Sequence, residues 1–166
     1  YKGDISTRAQ RLGRFEKKGF ACVIVIDFSA DFGRMEGQQF LSILKDCCGM
    51  KFMAEGKDFR CGYKGAFGRV QIERFALENG ICVAFPEPVM YKSSRVSSSL
   101  IRESVLSADF SSAAYMLGRP YTLDFSNTGD AFKRRMPQVL PPDGTYDVCA
   151  ITPGESIRTQ LLVEPN

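Results

Sequence analysis

Three groups of residues in this 166-residue chain carry side chains suited to chemistry at a defined spacing. The first is Ser97-Ser98-Ser99 with Arg102 three positions on; taken alone, three serines before an apolar-periodic run are a hydroxyl cap for a helix. The second is Gly56-Lys57-Asp58-Phe59-Arg60-Cys61-Gly62, which by its glycines and Asp reads as a turn with an aromatic anchor. The third is basic: Lys64 and Arg69, most simply a solvated face, and Lys133-Arg134-Arg135 further on. There is no histidine, which excludes every His-based dyad or triad within these residues, and no CxxC pair, so zinc ligation is not expected. Six cysteines are present; Cys22, Cys48, Cys82 and Cys149 sit in apolar runs and are expected to be buried, and all six are expected to be reduced thiols. A net charge of +3 suits an anionic small ligand and gives no case for nucleic acid.

The elements that must position these groups follow from periodicity. Ser6 or Thr7 can cap a helix to about Lys18, with Ala9, Leu12 and Phe15 near one face and Gly19 to end it. Phe20 to Phe28 is apolar on both faces, the pattern of a central strand in a covered parallel sheet. A second helix is expected over Glu36 to Cys48, stopping at Gly49, and a strand over Lys51 to Glu55. A third helix carries Val70, Phe75, Ala76 and Leu77 to Gly80, then a strand runs from Ile81 to Phe85. Helices follow with Ile101 and Val105, and from Phe110 to Leu117 before Gly118. Asn127 to Asp130 and Met136 to Asp143 are loop-like, and Thr145 to Ile151 can pair with Arg158 to Val163 around Thr152-Pro153-Gly154-Glu155. Helices alternating with strands predict an α/β fold with a parallel sheet covered on both faces. A chain that opens on a helix feeding a doubly apolar strand is expected to lack a preceding βα unit. No apolar run approaches the roughly 20 residues of a membrane helix, so no membrane partner and a cytoplasmic location are expected.

The loop Gly56 to Gly62, the segment Arg95 to Glu103, the exit Leu117-Gly118-Arg119-Pro120-Tyr121 and the stretch Asp27 to Phe32 occur in an order and spacing that resemble one family. It is the FMN adenylyltransferase (FAD synthetase) module of bacterial bifunctional riboflavin kinase/FAD synthetases, with its G-x-D/N-F-x-F-G loop, S-S-T-x-x-R helix start and L-G-R-P-Y exit. The likeness runs from about Ser6 to Tyr121, with Ser99 in place of the usual Thr and Cys61 where an aromatic is common.

The resemblance implies a Rossmann-like nucleotidyltransferase sheet over residues 1–121. It implies transfer of AMP from MgATP to FMN, giving FAD and pyrophosphate. It makes Ser98, Ser99 and Arg102 the ATP-phosphate residues, Gly56, Asp58, Phe59, Arg60 and Gly62 the flavin-side loop, and Arg102, Ser99 and Asp58 the catalytic set. A helix start with an arginine suits an anion physically, because its backbone donors are unpaired and its dipole favours negative charge. The implied partners are a nucleotide and a flavin. The family's H-x-G-H motif has no counterpart here, so the chain by itself is expected to turn over poorly or not at all; the competing reading is a non-catalytic flavin- or nucleotide-binding relative. Residues 122–166 resemble, at Leu140 to Val148, a later piece of a riboflavin kinase barrel, and neither P-T-A-N motif nor acidic base accompanies them, so a short β-containing remnant without kinase activity is expected.

Overall fold

The computed structural model describes residues 3–126 and 137–164. Two compact units form: one from Tyr1–Val23 with Tyr91–Asn166, the other from Ile24–Met90.

In the second unit, α3 (Gly37–Cys48) packs its apolar face inward at Leu41 and ends where Gly49 adopts a left-handed conformation. Ahead of it lies the four-residue helix α2 (Ala30–Gly33). Strand β1 (Phe52–Ala54) pairs in parallel with β2 (Cys82–Ala84), residue 53 opposite 83, and α4 (Arg69–Glu78) makes the crossover between them. The spacing of Ile72, Phe75 and Ala76 puts one stripe of α4 against Leu41, Met53 and Ile81, and these six residues are the core. Val70 and Leu77, expected on that stripe, are 69% and 84% exposed, because the buried face runs through Ile72 instead.

In the first unit, Thr7 caps α1 (Arg8–Lys17) with a capping box: its hydroxyl accepts from Gln10 N, and the Gln10 side chain reaches back to Thr7 N. After the two-residue strands β3 (Met90–Tyr91) and β4 (Ser94–Arg95) come α5 (Ser98–Leu106), capped by Ser97, and α6 (Phe110–Leu117), capped by Asp109. Val105, Ala113 and Val139 form the centre, with Phe110 and Tyr121 against it. Strands β5 (Gly144–Thr152) and β6 (Glu155–Val163) are an antiparallel hairpin closed by Pro153-Gly154, where Gly154 supplies the positive φ. Tyr146 joins it to α6 through an edge-to-face contact with Phe110 at 5.5 Å.

The expected Rossmann-like nucleotidyltransferase sheet, parallel with helices on both faces, is not what forms. Among the described residues the sheets are three separate two-stranded pairs, of which β1–β2 is parallel. The decisive segment is Phe20 to Phe28. It has no strand structure, and Phe20, Ile24, Val25 and Phe28 stay exposed. A doubly apolar pattern reports that a segment would tolerate a sheet interior, but the strand exists only where neighbours on both sides accept and donate its backbone hydrogen bonds. The described part of the chain puts no ladder beside it. The expected burial of four cysteines is corrected too: Cys22, Cys48, Cys82 and Cys149 are exposed, while all six cysteines are free thiols as expected. Asn127 to Asp130 and Lys133-Arg134-Arg135 lie outside the described residues. Among those residues, no helix is long and apolar enough to cross a membrane.

Candidate functional site

The loop from β1 to α4 is built by short-range bonds before any side chain matters. Phe59 N–H donates to Gly56 O at 2.9 Å, closing a turn over 56–59. Cys61 and Phe67 then exchange both backbone hydrogen bonds, at 2.9 and 3.1 Å, which pinches 61–67 into a closed lobe. Gly62 takes φ 75°, and its Cα hydrogen stands where a Cβ would lie 2.7 Å from Gly37 Cα; no other residue type fits. Tyr63 N–H reaches Met35 O at 2.8 Å, so the lobe is stitched to the start of α3.

This stitching leaves a cavity of about 460 Å³ inside the second unit, in the range of small-molecule sites. Phe28, Phe32, Phe40 and Phe59 supply aromatic walls, the first three linked edge to face at 5.3 and 6.0 Å. Arg60 and Lys64 line it as exposed cations; Arg60 Nη1–H donates to Gly65 O, and Lys64 sits over the Tyr63 ring at 5.1 Å. An aromatic slot with a cationic lining can hold a flat ring that bears an anionic group. Burial, reinforced by the charge of Glu55, pushes the Cys61 thiol up, so this cavity residue is a neutral thiol rather than a nucleophile.

Of the loop residues singled out from sequence, Phe59, Arg60 and Gly62 line the cavity, whereas Gly56 and the exposed Asp58 lie on the turn that leads into it. Lys64 is on the wall, although a solvated face was its simplest reading. Phe32, Met35 and Phe40 were not foreseen as site residues. The legible signal was the density of phenylalanines on either side of Met35; what concealed them was that helical spacing assigns Phe40 equally well to a core.

In the first unit, Ser98, Ser99 and Arg102 share the first turn and a half of α5. The cap itself is Ser97, whose hydroxyl accepts from Leu100 N at 3.2 Å, so Ser98 and Ser99 are exposed and not needed as caps. Arg102 is half-buried and its Nε–H donates to Gly3 O at 2.9 Å. Ser98, Ser99 and Arg102 thus form one group, and the loop residues form another in the other unit. Among the described residues no cluster of three or more His, Cys, Asp or Glu is placed to hold a metal ion.

Residues 1–100 match the family model described as FAD synthetase. No curated protein matches the chain. A crystal structure described as a macrolide-efflux protein from Streptococcus pneumoniae superposes with a TM-score of 0.77 at 20% identity, over 96% of this chain and 55% of that one. The chain therefore spans little more than half the length of that protein, and at this identity the likeness bears on fold alone.

Proposed function

The chain belongs to the FAD synthetase family, and from that premise we propose that it serves FMN adenylylation: AMP passes from MgATP to FMN, giving FAD and pyrophosphate. A phosphate oxygen of FMN attacks the α-phosphorus of ATP, a P–O–P bond forms, and the bond to the bridging oxygen of the β-phosphate breaks as pyrophosphate leaves with its electron pair. No covalent enzyme intermediate is needed, so the protein's part is to bind, orient and offset charge.

The observation that supports this reading most directly is the cavity of the second unit, to which the loop that the family resemblance puts on the flavin side contributes Phe59, Arg60 and Gly62, beside Lys64 and the rings of Phe28, Phe32 and Phe40. Phe59 and its neighbours would stack the isoalloxazine, and Arg60 and Lys64 would meet the phosphate of FMN. In the first unit, Ser98 and Ser99 would take the ATP phosphates at the start of α5, and Arg102 would offset charge on the leaving pyrophosphate. Asp58, on the turn before the cavity, is retained as a catalytic-set candidate by the family pattern. With no histidine in these 166 residues, the chain by itself is expected to turn over poorly. Residues 122–166, ending in the β5–β6 hairpin, are read as a remnant of a kinase-like module without kinase activity.

The test is FAD formation from FMN and MgATP by the complete protein, followed by HPLC. Arg102→Ala is expected to slow turnover by about 100-fold, the scale of removing one preorganised charge-stabilising donor. Because Arg102 also holds Gly3 O, Arg102→Lys should keep the fold and still lose most of the rate. Unchanged kinetics in both variants would remove Arg102 from the reaction.

A further inference from the structure

The cavity of the second unit has two walls drawn from different parts of the chain. Phe32, Met35 and Phe40 belong to the segment around the start of α3, and Phe59, Arg60 and Cys61 to the lobe between β1 and α4. The gap between them is set where the neck of the lobe meets the first residue of α3, Gly37, which is buried. A Cβ built on Gly37 would overlap Phe67 Cβ and stand 2.5 Å from Phe67 Cγ. A Cβ on Gly62, at the other side of the neck, would stand 2.7 Å from Gly37 Cα. The lobe therefore closes on Gly37 from both of its ends.

Gly37 is not there for its backbone. It opens an ordinary α-helix and is not among the residues with positive φ, so any side chain could adopt its conformation. Only its neighbours require that it have none. Neither neighbour can give way alone. Phe67 and Cys61 exchange both backbone hydrogen bonds, so the two sides of the neck move together. The Phe67 side chain packs against the core around Leu41 and Ile72, and α4 starts two residues later at Arg69, so the ring has no room to retreat inward. An atom added at Gly37 must instead push the lobe as a body away from α3. Met35, two residues before Gly37, lines the cavity and accepts the Tyr63 N–H through its carbonyl; Phe40, three residues after, lines it from the first turn of α3.

We propose that Gly37 and Phe67 are positioning residues of this cavity: their contact sets the separation of its two walls, and through that separation its hold on a planar ring. The separation rests on the geometry of the second unit alone. That the ring is a flavin rests on the adenylyltransferase reading.

The experiment uses the half-buried Cys61 thiol on the cavity wall as a gauge, with the exposed Cys82 of the same unit as internal reference. The complete protein is treated with a small and a bulky maleimide, and the labelled peptides are quantified by mass spectrometry. Gly37→Ala should speed labelling of Cys61 by the small reagent about threefold relative to Cys82, with a smaller gain for the bulky one, because access to a thiol governs its reactivity. It should weaken FMN binding, read by fluorescence quenching, about tenfold while leaving MgATP affinity within about twofold, the scale of a small change in pocket shape. Gly13→Ala adds the same atom to α1, where nothing lies within 4 Å, and should change none of these readings. Phe67→Leu thins the neck without placing an atom on Gly37, and should move labelling and FMN affinity in the same direction even where Gly37→Ala does not fold. Unchanged Cys61 labelling in the folded variants, faster labelling with unchanged FMN affinity, or equal gains for both reagents, which would report opening of the whole unit, overturns the proposal. A parent that binds no FMN removes the flavin reading instead, and the labelling ratios then decide the separation by themselves.

Discussion

Replacing Gln138 with Leu keeps the volume of a buried side chain and deletes the bonds that fasten α1 to the segment after α6, in which the amide accepts from Asp124 N and donates to Thr122 O, Ile5 O and Gln10 Oε1. Not every partner is orphaned. Thr122 O still receives Gln10 Nε2 at 3.1 Å, and Gln10 Oε1 still receives Thr7 N at 3.1 Å. The groups left without a partner are Asp124 N–H and Ile5 C=O, both only partly buried. An unsatisfied buried group costs about 1–3 kcal/mol, and partial access to water places each at the lower end. The expected loss is therefore about 2 kcal/mol, or on the order of 4–8 °C in melting temperature for a chain of this size. Urea unfolding followed by circular dichroism should show the midpoint fall by roughly 1 M with little change in slope. Gln138→Glu should be worse at neutral pH, since a carboxylate would face three oxygen acceptors where the amide donated. A Leu variant within about 0.5 kcal/mol of the parent, the usual range of a surface substitution, would show that Gln138 does not organise this unit.

Gly62→Ala should destabilise the second unit by about 2 kcal/mol or more, because it adds a Cβ against the Gly37 backbone at a positive φ; limited proteolysis of the 24–90 region, enhanced in the variant, would register it. Phe59→Ala should weaken quenching of FMN fluorescence by about tenfold in affinity if the aromatic wall stacks the ring; an unaltered titration would move the flavin elsewhere. Burial pushes the Tyr121 phenol up to about 12 against the pull of Arg119 and Arg102. Its raised folded value means that the contribution is whole below the unfolded value of about 10 and is lost as pH rises toward 12, so Tyr121→Phe should flatten the alkaline fall in stability. Hydrogen bonds from Ser126 and Thr7 hold Asp124 below its ordinary value. That stability is present above about pH 4 and lost as pH falls through the depressed value, and Asp124→Asn should reduce the acid slope measured by urea midpoints between pH 5 and 2.

Local signals decided much of this molecule. Thr7 with Gln10, the glycines at 49 and 118, and the serines at 97–99 mark helix ends because capping needs only residues a few positions apart. The hairpin around Pro153-Gly154 was legible for the same reason, and so was the turn in the loop 56–62. Tertiary structure decided what depends on neighbours remote in sequence. Phe20 to Phe28 has every residue a central strand wants and is no strand, since pairing is a property of two segments and not of one. Phe40 becomes a cavity wall only because the pinched lobe at 61–67 turns toward α3. The start of α1 is fastened to the segment after α6 only because the buried amide of Gln138 ties 5, 10, 122 and 124 together. Such ties between remote segments are set by the long-range hydrogen bonds of the folded chain, which no local pattern announces.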